Sequence, residues 1–220
     1  AVGAKGTGCF YQRIIKILSK DDKFKLLTQK NLTDIKVECD NIKELIFNKS
    51  ERIKIKEKDH IISTIPATNF ARFFDLNLNL GFRGVRSQYL FFKNKKILPK
   101  NYNWSYCSQA KVSFNRITEP PSMTKEVAKK GYSYICVETT FPSGNKNKIN
   151  QSYEEVINWL KKQKNFNSSG HIPELNTENY EHFVYPIQDK TFRTSLAKYN
   201  SLNSSFNNLS VMGISGEFHY

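Results

Sequence analysis

The pattern of apolar and polar residues changes most sharply between residues 60 and 75, which read HIISTIPATNFARFFD. Ile61 and Ile62 form a short β-branched run, which predicts a buried strand. Pro66 follows where its fixed φ suits the first turn of a helix. That helix would carry an apolar face made of Phe70, Phe73 and Phe74. A strand that passes into a helix through small hydroxyl residues is how α/β proteins form ligand crevices, although an ordinary strand–helix junction has the same pattern.

Before this junction, the pattern predicts one helix and then a small antiparallel meander. Apolar residues recur at helical spacing over residues 10–18, whereas residues 24–64 alternate apolar and polar positions in short segments. The predicted strands of this region are FKLLT, LTDIKVEC, IKELIF and RIKIK, followed by HIIST.

After the junction, the pattern breaks at residues 75–81, where we expect the chain to cross into a second domain. The segments beyond the break predict a strand at RGVRSQYLFFKN, a hairpin made of NWSYCSQ and KVSFNRITEP, and a long strand at YSYICVETTF. They then predict a helix over residues 151–164, a strand at HFVYPI, a helix over residues 193–202, and a last strand at NLSVM that runs into a glycine turn.

The composition indicates a globular and strongly basic chain. Its 220 residues allow one large domain or two small ones, and 39% of them are hydrophobic. Lys and Arg number 34 against 20 Asp and Glu, so the formal net charge is +14, which favours anionic partners. The cations are mostly lysines spread along the chain, and we therefore prefer a solvated lysine surface to nucleic-acid binding as their explanation.

Cysteine spacing and hydropathy exclude several further classes. The four cysteines are widely spaced, with no C-x-x-C pair and no histidine at zinc spacing, so neither a disulfide framework nor a metal site is predicted. No apolar run approaches the ~18 residues of a membrane span, and no signal peptide is recognisable. We expect a cytoplasmic protein.

No catalytic residue emerges from the spacing. The four histidines are isolated from one another, and no G-x-S-x-G motif supports a serine nucleophile. Glu154 and Glu155 open a predicted helix, where acidic side chains suit the helix dipole. The informative residues are therefore glycines, arginines and aromatics.

Each of these three kinds of residue has a structural alternative. Gly213 and Gly216 would let the backbone lie against a bulky ligand, or they form a simple turn. Arg83, Arg86 and Arg116 suit phosphate or carboxylate groups, or they pair with surface Asp and Glu. Five tyrosines could line an aromatic pocket or be half-buried on strands: Tyr89, Tyr106, Tyr132, Tyr134 and Tyr185.

Four stretches, taken in order, resemble the later portion of FAD-dependent amine oxidase and protoporphyrinogen-oxidase-like proteins, a superfamily close to UDP-galactopyranose mutase. KGTGCFYQRI resembles the glycine-rich segment that opens a helix beside the flavin, and KLLTQKNLTDI resembles the strand whose backbone meets the adenine end. DHIISTIPATNF is similar to the strand near the cofactor, and YPIQDKTF with NLSVMGISGEFHY is similar to the end of the family's sequences. FRGVRSQYLFF and NWSYCSQAKVSFNRITEP are similar to substrate-domain strands.

The resemblance implies an α/β fold with an α+β part. Residues 1–75 and 187–220 would form a portion of a FAD/NAD(P)-binding-type domain. Residues 76–186 would form a substrate domain with a mixed, mostly antiparallel sheet and flanking helices. FAD would be the cofactor, and the partner would be a small-molecule substrate, with an anionic one as an option.

The resemblance also implies roles for particular residues. Those that would pack against or hydrogen-bond the cofactor are Gly6, Gly8, Leu32, Ser63, Thr64, Pro66, Gly213 and Gly216. Those that would face the isoalloxazine or the substrate are Arg83, Arg86, Arg116 and Tyr185.

The chain departs from the family pattern in two respects. Ile214 occupies a position where the family commonly has Arg, and the chain contains neither the Rossmann G-x-G-x-x-G unit expected before Ala1 nor the closing helix expected after Tyr220.

The sequence therefore predicts a portion of a FAD-dependent oxidoreductase whose substrate and catalytic residues are unknown. Two alternatives remain. One is a flavoenzyme that resembles UDP-galactopyranose mutase and isomerises a nucleotide sugar. The other is a non-catalytic binding protein, either without flavin or binding nucleic acid through its +14 charge.

Overall fold

The computed structural model describes residues 6–93, 96–108, 112–128, 130–146, 149, 153–163 and 173–219. Its residues cluster into two compact units: unit 1 is Ala1–Leu26 with Gly84–Glu181, and unit 2 is Leu27–Arg83 with His182–Tyr220. The assignment of residues 1–75, 76–186 and 187–220 to cofactor and substrate domains remains a prediction.

Helices and sheets are mixed in the described residues, which confirms the predicted α/β class with an α+β part. The strands are β1 Leu32–Glu38, β2 Asn41–Phe47, β3 Glu51–Lys54, β4 Ile61–Ser63, β5 Gly81–Lys93, β6 Trp104–Tyr106, β7 Arg116–Thr118, β8 Tyr132–Pro142, β9 Leu175–Ile187 and β10 Leu209–Val211. The helices are α1 Gly8–Leu18, α2 Ala67–Ala71, α3 Tyr153–Lys162, α4 Phe192–Ser204 and α5 Ile214–Glu217.

Most predicted elements are confirmed, and three expectations change. FKLLT is not a strand: residues 24–28 pair with no described strand, and Leu26 and Leu27 are exposed. β9 begins at Leu175, well before the predicted HFVYPI segment, because its first half is polar and carries no apolar alternation. The glycine turn after β10 is instead the short helix α5. Of the helix predicted over 151–164, residues 151, 152 and 164 lie outside the described part.

Unit 1 is built on a five-stranded sheet in the order β6-β7-β8-β5-β9, in which β6–β7 and β7–β8 are antiparallel. Side chains alternate between the two faces of each strand. One face packs against α3, and the buried core between them includes Leu90, Phe92, Ile117, Ile135, Val137, Val156 and Leu160. The helix predicted from Tyr153, Val156, Ile157 and Leu160 therefore buries its apolar face as the spacing requires.

A buried carboxylate fixes the loop beside this sheet. Glu119 is only 1% exposed, and its Oε1 accepts hydrogen bonds from the Ile97 amide at 2.9 Å and the Ser133 hydroxyl at 2.8 Å. Its Oε2 accepts a bond from the Leu98 amide at 2.9 Å. A buried charge is tolerated when hydrogen bonds satisfy it, and here they join the 97–98 segment to β8.

One glycine of β5 is required by close packing. A Cβ on Gly84 would lie 2.5 Å from the Phe141 ring and 2.7 Å from the carbonyl oxygen of Glu181. Because a backbone oxygen cannot swing away as a flexible side chain can, the strands approach this closely only at a residue without a side chain.

Unit 2 contains the predicted meander and a second, smaller sheet. The meander has the order β1-β2-β3 with antiparallel neighbours, as the alternation predicts. β4 pairs in parallel with β10. The helix after Pro66 forms as α2, and a 3₁₀ turn, Arg72–Phe74, continues it. The Phe70 ring lies 5.4 Å from that of Phe74, inside the core of this unit.

Asn208 joins the two sheets of unit 2. Its Oδ1 accepts a hydrogen bond from the Ile42 amide at 3.0 Å, and its Nδ2 donates one to the Ile42 carbonyl at 2.8 Å. The Asn208 carbonyl also accepts a bond from the Ile61 amide at 2.8 Å. Since Asn208 is buried, a single side chain satisfies β2 backbone groups that water does not reach.

We expect Asn208→Ala to destabilise the protein by roughly 2–4 kcal/mol, because it leaves a buried amide and a buried carbonyl without partners. Chemical denaturation followed by circular dichroism measures this change. Asn207→Ala is the matched control: Asn207 is exposed, and its backbone amide keeps its bond to the Asp40 carbonyl. Equal stability of the two variants would show that the Asn208 side chain does not hold the sheets together.

Candidate functional site

Unit 2 contains a cavity of about 660 Å³, which we call the meander cavity because β1 and β2 form one of its walls. This volume lies within the range of small-molecule sites. Three of the predicted cofactor residues, Leu32, Ser63 and Thr64, line it together. Its other lining residues include Asn31, Leu45, Ile61, Asn69, Phe70 and Arg72.

Backbone amides of Met212 and Ile65 hold the hydroxyl-rich end of β4 in place. The Ser63 carbonyl accepts a hydrogen bond from the Met212 amide at 2.9 Å, and the Ser63 hydroxyl accepts one from the Ile65 amide at 3.4 Å. Thr64 is exposed at the wall of the cavity. The strand end thus offers one hydroxyl engaged in a turn and one facing solvent.

The other predicted cofactor residues of unit 2 border this strand without lining the cavity. Pro66 precedes α2 with φ −51°. Gly216 is buried, and a Cβ there would lie 3.2 Å from the Val211 side chain and 3.6 Å from the Ser63 carbonyl oxygen. Gly213 has φ +87°, a backbone conformation that favours glycine, whereas a Cβ there would meet no neighbouring atom within 4 Å.

Two cations stand at the meander cavity and differ in their partners. Lys30 pairs with Glu51, and the hydrogen bond from Lys30 lowers the pKa of that carboxyl below its ordinary value. Arg72 is exposed and makes no ion pair with another described residue. Sequence reasoning missed Arg72, although it stands between Phe70 and Phe73 as the polar position of an otherwise apolar stretch.

Unit 1 has a second cavity, also of about 660 Å³, on the sheet face opposite α3. We call it the aromatic cavity, because its walls include Tyr89, Trp104, Tyr106 and Tyr134. Three of the five tyrosines proposed from sequence as pocket residues therefore meet here, whereas Tyr132 and Tyr185 do not line it. Of the predicted site residues, Gly6 and Arg116 also line this cavity.

The strand register brings the polar groups of the aromatic cavity into one row. Tyr106, Arg116 and Glu138 are direct cross-strand partners on β6, β7 and β8. Arg116 donates from Nε to Glu138 Oε2 at 2.5 Å and from Nη2 to Oε1 at 2.7 Å. Its guanidinium carbon lies 5.9 Å from the centre of the Tyr106 ring, within the range of a cation–π contact. The bidentate bond raises the pKa of Arg116 further above its ordinary value.

Glu138 is the partner of Arg116 that sequence reasoning missed. The alternative stated for the arginines, pairing with a carboxylate, is what Arg116 shows. Arg86 does the same, since its Nε lies 2.7 Å from Glu178 Oε2. Neither pairing carried a signal in the sequence, because each depends on which strands become neighbours.

The remaining predicted residues lie elsewhere. Arg83 is exposed and is the last residue of the first chain segment of unit 2, and Tyr185 is half-buried on β9. Neither residue lines the meander cavity or the aromatic cavity. Gly8 begins α1 with open space around it, whereas a Cβ on Gly6 would lie 3.4 Å from Val127.

Neither a metal site nor a membrane-spanning helix is seen in the described ranges. Across the described ranges, no group of three or more His, Cys, Asp or Glu side chains is placed to hold a metal ion. None of the helices seen in those ranges has the length and apolar character needed to cross a membrane.

Comparison with known proteins supplies the fold class. No sequence-family profile matches the chain, and no curated protein matches it by sequence. Its structure is similar to that of a reduced UDP-galactopyranose mutase, with TM-score 0.77 and 18% identity, over 98% of this chain and 46% of that one. It is also similar to a protein from Exiguobacterium sp. 255-15 assigned as a protoporphyrinogen oxidase, with TM-score 0.69 and 15% identity, over 96% of this chain and 46% of that one.

A third similar structure is an oxidoreductase from Methanosarcina mazei, with TM-score 0.53 and 13% identity, over 85% of this chain and 44% of that one. The chain thus has the fold seen in part of these enzymes, and the resemblance inferred from its motifs is confirmed at the level of the fold. The chain spans less than half the length of these three proteins.

Cys136 lines the aromatic cavity, and the reactivity of its thiol tests whether that part of the cavity wall is buried. Burial raises the pKa of the Cys136 thiol, and that of Cys107, to about 11. The thiolate is the reactive form, so a raised pKa leaves less of it near neutral pH. We expect iodoacetamide to alkylate the exposed Cys39 roughly tenfold faster than Cys136, as followed by peptide mass spectrometry.

The denatured protein is the control, in which both cysteines should react at similar rates. If Cys136 were alkylated as fast as Cys39 in the folded protein, Cys136 would not be buried in the wall of the aromatic cavity.

Proposed function

We propose that this chain forms part of a FAD-dependent oxidoreductase that acts on a small molecule. The observation that carries the proposal is the structural match over 98% of the chain to a UDP-galactopyranose mutase, with TM-score 0.77. A fold alone does not define an activity. The grouping of Leu32, Ser63 and Thr64 around one cavity adds support, because the motif resemblance had implied a cofactor role for each.

The donors of the meander cavity suit the adenosine and phosphate portions of a dinucleotide. Its wall combines apolar side chains with amide and hydroxyl groups, and Arg72 supplies an exposed guanidinium. In our proposal the Leu32 backbone and the Ser63–Thr64 strand end contact the nucleoside, and Arg72 contacts a phosphate. The contributions of Gly6, Gly8, Pro66, Gly213 and Gly216 to cofactor binding remain predictions from the resemblance.

FAD, when bound, would supply the hydride chemistry, and the protein would orient the substrate and exclude water. The aromatic cavity is the proposed substrate site, because it combines ring surfaces with a fixed polar pair. Arg116 would act there as a positioning group. Substrate roles for Arg83, Arg86 and Tyr185 remain predictions.

A second candidate is a flavoenzyme that isomerises a nucleotide sugar, as the name of the structural neighbour with TM-score 0.77 suggests. The aromatic walls of the unit 1 cavity favour it, since ring surfaces stack on nucleobases. Turnover of a UDP-sugar without net oxidation would distinguish this candidate from an oxidoreductase.

A non-catalytic binding protein is the third candidate, and the net charge of +14 is the observation that favours it. Its complexes with nucleic acid would weaken steeply as salt is raised, because phosphate contacts release counterions.

A cytoplasmic location is likewise part of our proposal. The four free cysteines are the observation that supports it.

We expect the purified chain to show flavin absorption bands that persist through desalting after incubation with FAD. Arg72→Ala should weaken FAD binding roughly tenfold, through loss of one charge-assisted hydrogen bond. Arg193→Ala is the control, since Arg193 lies in the same unit on α4 and does not line the meander cavity. A protein that stays colourless would overturn the proposal for this chain acting alone.

A further inference from the structure

The aromatic cavity is electrically balanced although the protein is strongly basic. Arg116 and Glu138 are the charged groups among its described lining residues, and they pair with each other through two hydrogen bonds. The guanidinium charge is therefore compensated within the cavity. A phosphate placed there would have to compete with Glu138 for Arg116 and would meet the carboxylate at close range.

Ring surfaces are the other resource of this cavity. Trp104 is 51% exposed and Tyr106 is 69% exposed, and both stand on β6 at the edge of the sheet. Their register partners are Thr118 and Arg116, so the two rings project from the same face as the charged pair. Large aromatic side chains left open beside a cavity are available for stacking.

The charged pair keeps hydrogen-bonding capacity on both of its members. A guanidinium has more N–H groups than Arg116 gives to Glu138 and Tyr106 together, and a carboxylate has more lone pairs than two bonds use. Side by side on neighbouring strands, the pair presents a donor next to an acceptor. That pattern complements the edge of a heterocycle that carries a carbonyl next to an N–H.

We propose that the aromatic cavity binds a neutral, planar heterocycle, stacked on Trp104 and Tyr106 with its polar edge against Arg116 and Glu138. This inference rests on the proposed function and deepens it, because it names the chemical group by which the substrate is recognised. It also replaces the anionic substrate considered from sequence with a neutral one, since the arginine of the cavity is already compensated.

Trp104 provides a direct reporter of this binding. The protein has two tryptophans, and the other, Trp159 on α3, packs edge-to-face on Phe114 of the unit 1 core. In a Trp159→Phe background, we expect uridine and adenosine to quench the Trp104 fluorescence in a saturable way. Inorganic phosphate and methyl galactoside, which offer charge or a saturated ring without a planar heterocycle, should leave it unchanged.

Two variants separate stacking from charge. Tyr106→Ala should weaken nucleoside binding roughly tenfold, whereas Tyr106→Phe, which keeps the ring, should bind within about twofold of the parent protein. Glu138→Gln leaves the Arg116 charge uncompensated, and in this variant phosphate should quench Trp104, as it does not in the parent. Glu44→Gln is the matched control, because Glu44 pairs with Arg52 on the meander of unit 2.

Saturable quenching by methyl galactoside but not by nucleosides would overturn the proposal, as would saturable quenching of Trp104 by phosphate in the parent protein. Unchanged nucleoside binding in a folded Tyr106→Ala variant would overturn it as well. Flavin absorption reports on the proposed function independently. A chain that retains FAD but leaves Trp104 unquenched therefore contradicts this inference alone, and one that binds nucleosides but no FAD contradicts the flavoenzyme alone.

Discussion

Unit 2 depends on the hydrogen bonds that the buried Asn208 side chain makes with the backbone of Ile42. A parallel sheet normally has both faces covered and more strands than two, so the β4–β10 pair needs support from outside. Asn208 gives this support twice: its amide group bonds both backbone groups of Ile42, and its carbonyl continues the ladder to Ile61. The meander cavity lies between the sheets joined in this way, so its geometry follows from one buried amide.

Unit 1 depends on strand register rather than on a single side chain. Ile117 and Arg116 are neighbours on β7, yet one packs in the core beside α3 and the other lines the aromatic cavity. A one-residue slip of β7 would exchange them, burying a guanidinium and exposing an isoleucine. Glu119 is the residue directly after β7, and its three buried hydrogen bonds help to fix that register. The core on one face thus determines which residues can form the site on the other.

Periodicity predicted the elements well where the pattern is local. The meander, β8, α3 and α4 follow from alternation or helical spacing because burial on one face imposes that spacing. The segment at residues 24–28 has the apolar composition of a strand but finds no partner, and composition cannot supply a neighbour. The candidate sites were harder still. Arg116 was predicted either to bind an anionic ligand or to pair with an acidic side chain, and the choice of Glu138 depends on the pairing of β7 with β8.

The charge of the whole chain is therefore a poor guide to the chemistry of its aromatic cavity. A net charge of +14 suggests an anionic ligand, yet exposed charges separated by more than about 10 Å are largely screened at physiological salt. At contact distance the relevant quantity is the local balance, and Glu138 cancels Arg116 there. The energy available to such a site comes from ring surfaces and from hydrogen bonds with fixed direction, which discriminate by shape and edge pattern. Surface lysines can speed the approach of an anionic molecule, but in our proposal the rings and the paired charges of the aromatic cavity select the ligand.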